Sequence, residues 1–232
     1  MAKEFNKIIS LLDDTGVLKE VTLIGSWAFL LYREKYSNGK ELTPLRTRDI
    51  DILVKKGRKV QKPNLRDLFE SNGFTIDFKG EAGYMIFFNE ELNIEFLTDL
   101  TGRDDDKPYE ISEWKINAQK IRYLNILYGN TILVRFDRFN ITIPSPTAFA
   151  IQKLMILHKR KKIKRERDIN QIKQLISLIE KERLENDLSN IFNKMIPGWR
   201  TTLKSNLKKY FPKYFEDNLL EILYKNNSFH RP

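Results

Sequence analysis

The chain has 232 residues, enough for one large domain or two small ones with a real core. It holds no cysteine and two histidines, His158 and His230. Disulfides, zinc–thiolate sites and a thiol nucleophile are therefore excluded, and a Ser-His-Asp machine or a multi-histidine metal site is disfavoured. The net charge is +10, and residues 141–232 carry the whole excess, with 19 Lys/Arg against 9 Asp/Glu; residues 1–140 hold 22 of each. Any metal falls to carboxylates, which favours hard ions such as Mg²⁺ or Mn²⁺. No apolar run approaches the roughly 20 residues of a membrane helix, and the amphipathic N-terminus has no secretory core, so the expected place is the cytoplasm. The basic half suggests a polyanionic partner, against the plainer reading of a solvated lysine-rich surface.

Residues 3–13 read as a helix with Phe5, Ile8, Ile9 and Leu12 on one face, ended by Gly16. Val21–Ile24 reads as a strand, Gly25-Ser26 as a turn, and Ser26 to about Tyr36 as a helix whose Trp27, Phe29 and Tyr32 are mostly core. A loop follows from Ser37 through Pro44. Asp49-Ile50-Asp51-Ile52-Leu53-Val54 is the next strand. With a side-chain period of two, Asp49 and Asp51 point to one side, and the apolar residues between and after them point into the protein or along its buried strand. Asn64–Ser71 reads as a short helix, then Phe74–Phe78, Tyr84–Phe88 and Leu92–Leu97 as strands. In the last of these Asn93 and Glu95 face one way and Ile94 and Phe96 the other. Asp104-Asp105-Asp106 lacks the ligand spacing of a calcium loop and reads as solvated loop. Thr131–Phe136 and Phe139–Ile143 form a hairpin, and Pro144-Ser145-Pro146 marks a boundary with Ser145 as helix cap.

From there the pattern is helical, with Ile169, Ile172, Leu175, Ile176 and Ile179 on one face. The crowd of cations from Lys153 to Arg167 disfavours one continuous helix, which predicts two helices joined near Lys161-Lys162. Tail aromatics Phe211, Tyr214, Phe215 and Tyr224 are expected in the helical core. No internal repeat is present. The expected organisation is an α+β domain over residues 1–143, a mixed sheet with flanking helices, followed by a basic, mostly helical domain over 144–232.

Two carboxylates held in parallel on a strand can clamp divalent metal. Phosphoryl or nucleotidyl transfer with two ions about 3.5–4 Å apart needs a third acid on a neighbouring strand. Glu95 is the first candidate, flanked by Ile94 and Phe96, and Asp77 is its rival. Gly25-Ser26 at a strand-to-helix turn offers backbone N–H groups and a hydroxyl to phosphates. Each piece alone is weak, since Asp-x-Asp on a strand is more often an exposed face and Gly-Ser before a helix more often a plain cap. The order strand, Gly-Ser, helix, Asp-x-Asp strand, later acidic strand is far more specific.

In that order the chain resembles the nucleotidyltransferase superfamily with the DNA polymerase β-like fold, through Gly25-Ser26, Asp49-Ile50-Asp51 and Glu95. A closer likeness is to a bacterial branch of stand-alone nucleotidyltransferase-fold proteins. It rests on Thr47-Arg48-Asp49, on Ile94-Glu95-Phe96-Leu97, on the Pro-led helix carrying Lys153-Leu154, and on Arg167-Asp168-Ile169-Asn170-Gln171. The resemblance implies transfer of a nucleotide from an NTP with Mg²⁺ or Mn²⁺. It implies Asp49, Asp51 and Glu95 as metal-binding and catalytic residues, and Gly25 and Ser26 on the pyrophosphate side. Lys153 would be a triphosphate ligand, with pairing to Asp168 as its plainer role. Related branches include toxin and abortive-infection enzymes that modify tRNA or protein, so an RNA or protein acceptor and an antitoxin partner are further expectations. The segment between Ser26 and Asp49 is longer than in compact members, with Ser37–Leu45 as an insertion that reads as a lid, an acceptor loop or tolerated surface length.

Overall fold

The computed structural model describes residues 2–43, 47–57, 63–102 and 107–212. The Asp104–Asp106 run, residues 44 and 45 of the insertion, and Tyr214, Phe215 and Tyr224 lie outside the described residues. The chain falls into two compact units, residues 1–144 and 145–232.

The first unit opens with helix α1 (Ala2–Asp14), whose Phe5, Ile8, Ile9 and Leu12 are all buried, as the apolar spacing requires. Strand β1 (Val21–Ile24) leads through Gly25 into helix α2 (Ser26–Lys35). Trp27, Phe29 and Tyr32 of α2 are buried, and Trp27 stacks on Phe5 with ring centroids 3.8 Å apart. A 3₁₀ turn, Ser37–Glu41, occupies the front of the insertion. Its Gly39 lies so close to α2 that an added Cβ would stand 2.2 Å from the Tyr32 carbonyl oxygen. This part of the insertion is thus packed against the helix it follows.

Strand β2 (Asp49–Val54), helix α3 (Leu65–Ser71, capped by Asn64), and strands β3 (Thr75–Lys79), β4 (Tyr84–Phe88) and β5 (Asn93–Asp99) come next. Strands β6 (Tyr109–Ile111) and β7 (Ile116–Ile121), a helical turn α4 (Asn125–Tyr128), and the hairpin β8 (Thr131–Phe136) and β9 (Phe139–Pro144) complete the unit. The main sheet runs β1-β2-β5-β4-β3. β2 and β5 are parallel, whereas β1–β2, β3–β4 and β4–β5 are antiparallel, so the sheet is mixed. One edge of β5 changes partner midway: Asn93, Ile94 and Glu95 pair with β4, and Leu97, Thr98 and Asp99 pair in parallel with β7. One face carries Leu23, Ile50, Ile52, Phe87, Ile94 and Phe96, all buried, with Phe69 of α3 packed on Phe87 and Phe96 and Trp114 edge-on to Phe96.

The second unit is helical throughout its described residues: α5 (Pro146–Ile156), α6 (Lys162–Lys181), α7 (Glu185–Lys194) and α8 (Pro197–Tyr210). The Ser145 hydroxyl caps α5, accepting from the Ala148 N–H at 3.2 Å, with Pro146 at the first helical position. Every residue of α5 is buried, and α6, α7 and α8 pack around it. The chain breaks between α5 and α6 at a 3₁₀ turn, Leu157–Lys159, and Lys161 is extended before α6 starts, where the charge crowding predicts a joint.

Candidate active site

Strand β2 places Asp49 and Asp51 on the sheet face opposite Ile50 and Ile52, both of which are fully buried. The parallel register of β5 sets Asn93 beside Asp49 and Glu95 beside Asp51. Antiparallel β1 sets Ile24 on the other side of Asp51, and Gly25 follows Ile24 directly in the chain. Residues paired in register share a face, so Asp49, Asp51, Asn93 and Glu95 stand together on one side of the sheet. The row continues from Glu95 to Ile86 on β4 and Asp77 on β3. Glu95 is therefore one strand spacing, about 4.8 Å of backbone, from Asp51, whereas Asp77 is three spacings away, about 14 Å. Asp77 is exposed, and its carboxylate accepts from the Phe78 N–H at 2.8 Å. Of the two rivals for a third acid, the sheet brings Glu95 to the pair.

Gly25 is the point where backbone and carboxylate meet. Its φ of 71° and ψ of −151° belong to a region that side chains exclude. An added Cβ would lie 2.0 Å from Asp51 Oδ2. The strand-to-helix turn is thus folded tightly against the Asp51 carboxylate. Ser26 stands in the first turn of α2, where N–H groups lack intrahelical acceptors and the helix dipole favours an anion.

The start of β2 is pinned from the loop before it. The Asp49 N–H donates to the Thr47 hydroxyl at 3.1 Å, and the Asn93 N–H donates to the Arg48 carbonyl at 2.7 Å. The Arg48 guanidinium donates to the carbonyls of Asn89, at 2.9 Å, and Glu90. The Asn93 amide donates to Asp49 Oδ1 at 2.8 Å. Lys79, at the end of β3, forms an ion pair with Glu95 Oε1. An open groove of about 700 Å³ lies at this end of the sheet, bordered by Arg48, Thr75, Phe88 and Glu90.

The donor set is oxygen only, which suits a hard divalent cation. The approach of Asp51 to Gly25 leaves a carboxylate beside bare backbone, and Asp49 and Glu95 share its face. Among the described residues, no three acids or histidines are already gathered as a metal cluster. Glu95 is turned to Lys79 and Asp49 to Asn93. The residues fit a cation in kind and in strand position, with Glu95 Oε1 engaged by Lys79.

A family model described as nucleotidyltransferase matches residues 3–197 of the chain. The chain belongs to this nucleotidyltransferase family. Among curated proteins, none matches it. Among solved structures, it is similar to an antigenic nucleotidyltransferase-like protein from Paracoccidioides brasiliensis, at 16% identity and a TM-score of 0.45, covering 86% of this chain and 91% of that one. Family membership and the mixed sheet with a helical second unit agree with the sequence expectation.

Lys153 lies inside the helical unit and is buried. Its ammonium donates to Asp168 Oδ1 at 2.7 Å, and Arg160 Nε donates to Asp168 Oδ2 at 3.0 Å. The structure thus contains the pairing that is the plainer of the two roles for Lys153. His158 is exposed, with Nδ1 3.2 Å from the Asn206 amide. Lys79 is the residue at the candidate site that sequence reasoning passes over. The signal for it was the period of two in β3, which puts Lys79 on the face of Asp77, and hence of Glu95.

Proposed function

We propose that this chain is a metal-dependent nucleotidyltransferase that moves a nucleoside monophosphate from an NTP to an acceptor hydroxyl. The observation that carries this reading is the register that sets Asp49, Asp51 and Glu95 on one face, with Asp51 against Gly25. Asp49, Asp51 and Glu95 would hold Mg²⁺ or Mn²⁺. A cation bound there supplies neutralisation of phosphate charge and eases loss of the acceptor proton. Asp49 and Asp51 would hold the cation that neutralises the α-phosphate, and Glu95 would position the acceptor hydroxyl. The hydroxyl oxygen bonds to the α-phosphorus as the bond to the β-phosphate bridging oxygen breaks; pyrophosphate leaves, and the hydroxyl proton passes to a carboxylate or to water. The N–H groups of the Gly25-Ser26 turn and the start of α2 receive the leaving pyrophosphate.

The acceptor class in this proposal is an RNA, a protein or a small molecule. Incubation with each labelled NTP, Mg²⁺ or Mn²⁺, total RNA and protein extract tests it. Label should move to an acceptor and be lost in Asp51→Ala. Absence of transfer under all conditions, or transfer that survives Asp51→Ala, sinks the proposal, and release of free nucleotide alone identifies a hydrolase instead.

A second reading, a nucleic-acid-binding module without catalysis, has its own support. Lys159, Lys161, Lys162, Lys164 and Arg167 are all exposed around the start of α6. Salt-sensitive RNA binding that is indifferent to Mg²⁺ and to Asp49→Ala would favour it.

A further inference from the structure

We infer that Lys79 is a built-in counter-ion of the acidic face, exchanged for the divalent cation when the site loads. This rests on the nucleotidyl-transfer reading of the same site. Lys79 sits on the outer strand β3, paired with Tyr84 of β4, and so is two strands from β5. It reaches Glu95 diagonally past β4. The two ends of the pair differ: the Glu95 side chain is 17% exposed, the Lys79 side chain 60%. The acid is fixed in the sheet, and the cation is a long, solvated arm that can swing away.

Asp49, Asp51 and Glu95 share one face within two strands, so their charges repel when no cation lies between them. An ammonium beside Glu95 offsets that repulsion. Exposed ion pairs of this kind are weak, so a divalent cation competes with the lysine easily. The exchange also explains the arrangement of acids: they occupy the right strand positions, yet among the described residues they are not gathered as a metal cluster, and Glu95 is paired with Lys79. Lys79 is thus a positioning residue, acting through Glu95.

Lysine on an edge strand also has a plain role, blocking pairing with another chain. Mn²⁺ titration of the full chain, followed by the electron paramagnetic resonance signal of free Mn²⁺, separates the two. Lys79→Met should tighten Mn²⁺ binding by about two- to five-fold, the scale of an exposed ion pair. Lys79→Arg should stay near wild type. In a Glu95→Gln background, Lys79→Met should change nothing. Equal affinity of wild type and Lys79→Met, with circular dichroism showing both folded, overturns the exchange. Asp51→Asn reports on the site itself: if it abolishes Mn²⁺ binding while Lys79→Met is silent, the exchange fails and the nucleotidyl-transfer reading stands. If the wild type binds no Mn²⁺, both fall.

Discussion

Asp51 Oδ2 occupies the space that any side chain at position 25 would need. Two penalties therefore act on Gly25→Ala. The backbone must hold an alanine at φ 71°, ψ −151°, which costs about 1–3 kcal/mol, and the new methyl must push Asp51 aside. Gly83 separates the two effects, having φ 73° and nothing within 4 Å of an added Cβ. Gly83→Ala should lower the urea midpoint without touching the acids. Gly25→Ala should lower the midpoint and also reduce label transfer by about a hundredfold, the scale expected when a reacting group is displaced by about 1 Å. Equal transfer by the two variants would show that the approach of Asp51 to Gly25 has no bearing on the chemistry.

The joint between α5 and α6 shows charge acting on a whole element. The string from Lys159 to Lys164 cannot run as one helix without stacking like charges a turn apart, and the chain turns there instead. The turn brings Arg160 and Lys153 onto the two oxygens of Asp168, which is itself buried. Replacing Asp168 leaves the Lys153 ammonium buried without its counter-charge. Asp168→Ala should destabilise the chain by about 3–5 kcal/mol, whereas Lys153→Met, which removes the buried cation together with its contact to the Phe149 ring and leaves an apolar side chain in its place, should cost much less. Urea unfolding of both variants checks the order; equal losses would mean that the lost contacts, and not the stranded charge, set the cost. The spacing of these residues in sequence admitted both a structural and a ligand-binding role for Lys153, because only the fold decides which anion stands opposite.

At the scale of the molecule, elements with a period of two or of 3.6 could be read directly, including β2, the first half of β5 and the face of α6, and β4 could be read as a short apolar run between turns. Strands β6 and β7 could not. β7 reads Ile-Asn-Ala-Gln-Lys-Ile, and its Asn117 is a buried polar residue whose amide donates to the Gly83 carbonyl and accepts from the Met85 N–H. Such satisfaction comes from residues more than 30 positions away and leaves no local pattern. For the same reason Asp51 and Glu95 were each visible as acids on strands, but their register, and the reach of Lys79, exist only once the sheet is assembled. Long-range polar closure also governs how the first unit responds to pH. Tyr32 donates to the Pro144 carbonyl at 2.8 Å, and Tyr128 donates to the Val54 carbonyl at 2.7 Å. Burial pushes both phenols up, with Tyr36 adding to the effect at Tyr32 and Asp99 at Tyr128. A phenol raised in the folded state contributes stability that is complete below its unfolded value, about 10, and is lost as the pH climbs from there toward the folded value. Above that point the unfolded chain binds fewer protons than the folded one, so stability falls with pH. Lysines titrate in the same range, so the informative quantity is the difference between wild type and Tyr32→Phe. At pH about 7 the variant should be less stable by about 1 kcal/mol, from the lost hydrogen bond. From pH about 10 upward that deficit should shrink, because the variant has no phenol to keep neutral. Urea midpoints taken between neutral pH and the alkaline limit should therefore converge, and a constant gap would show that the Tyr32 phenol titrates alike in the folded and unfolded chain.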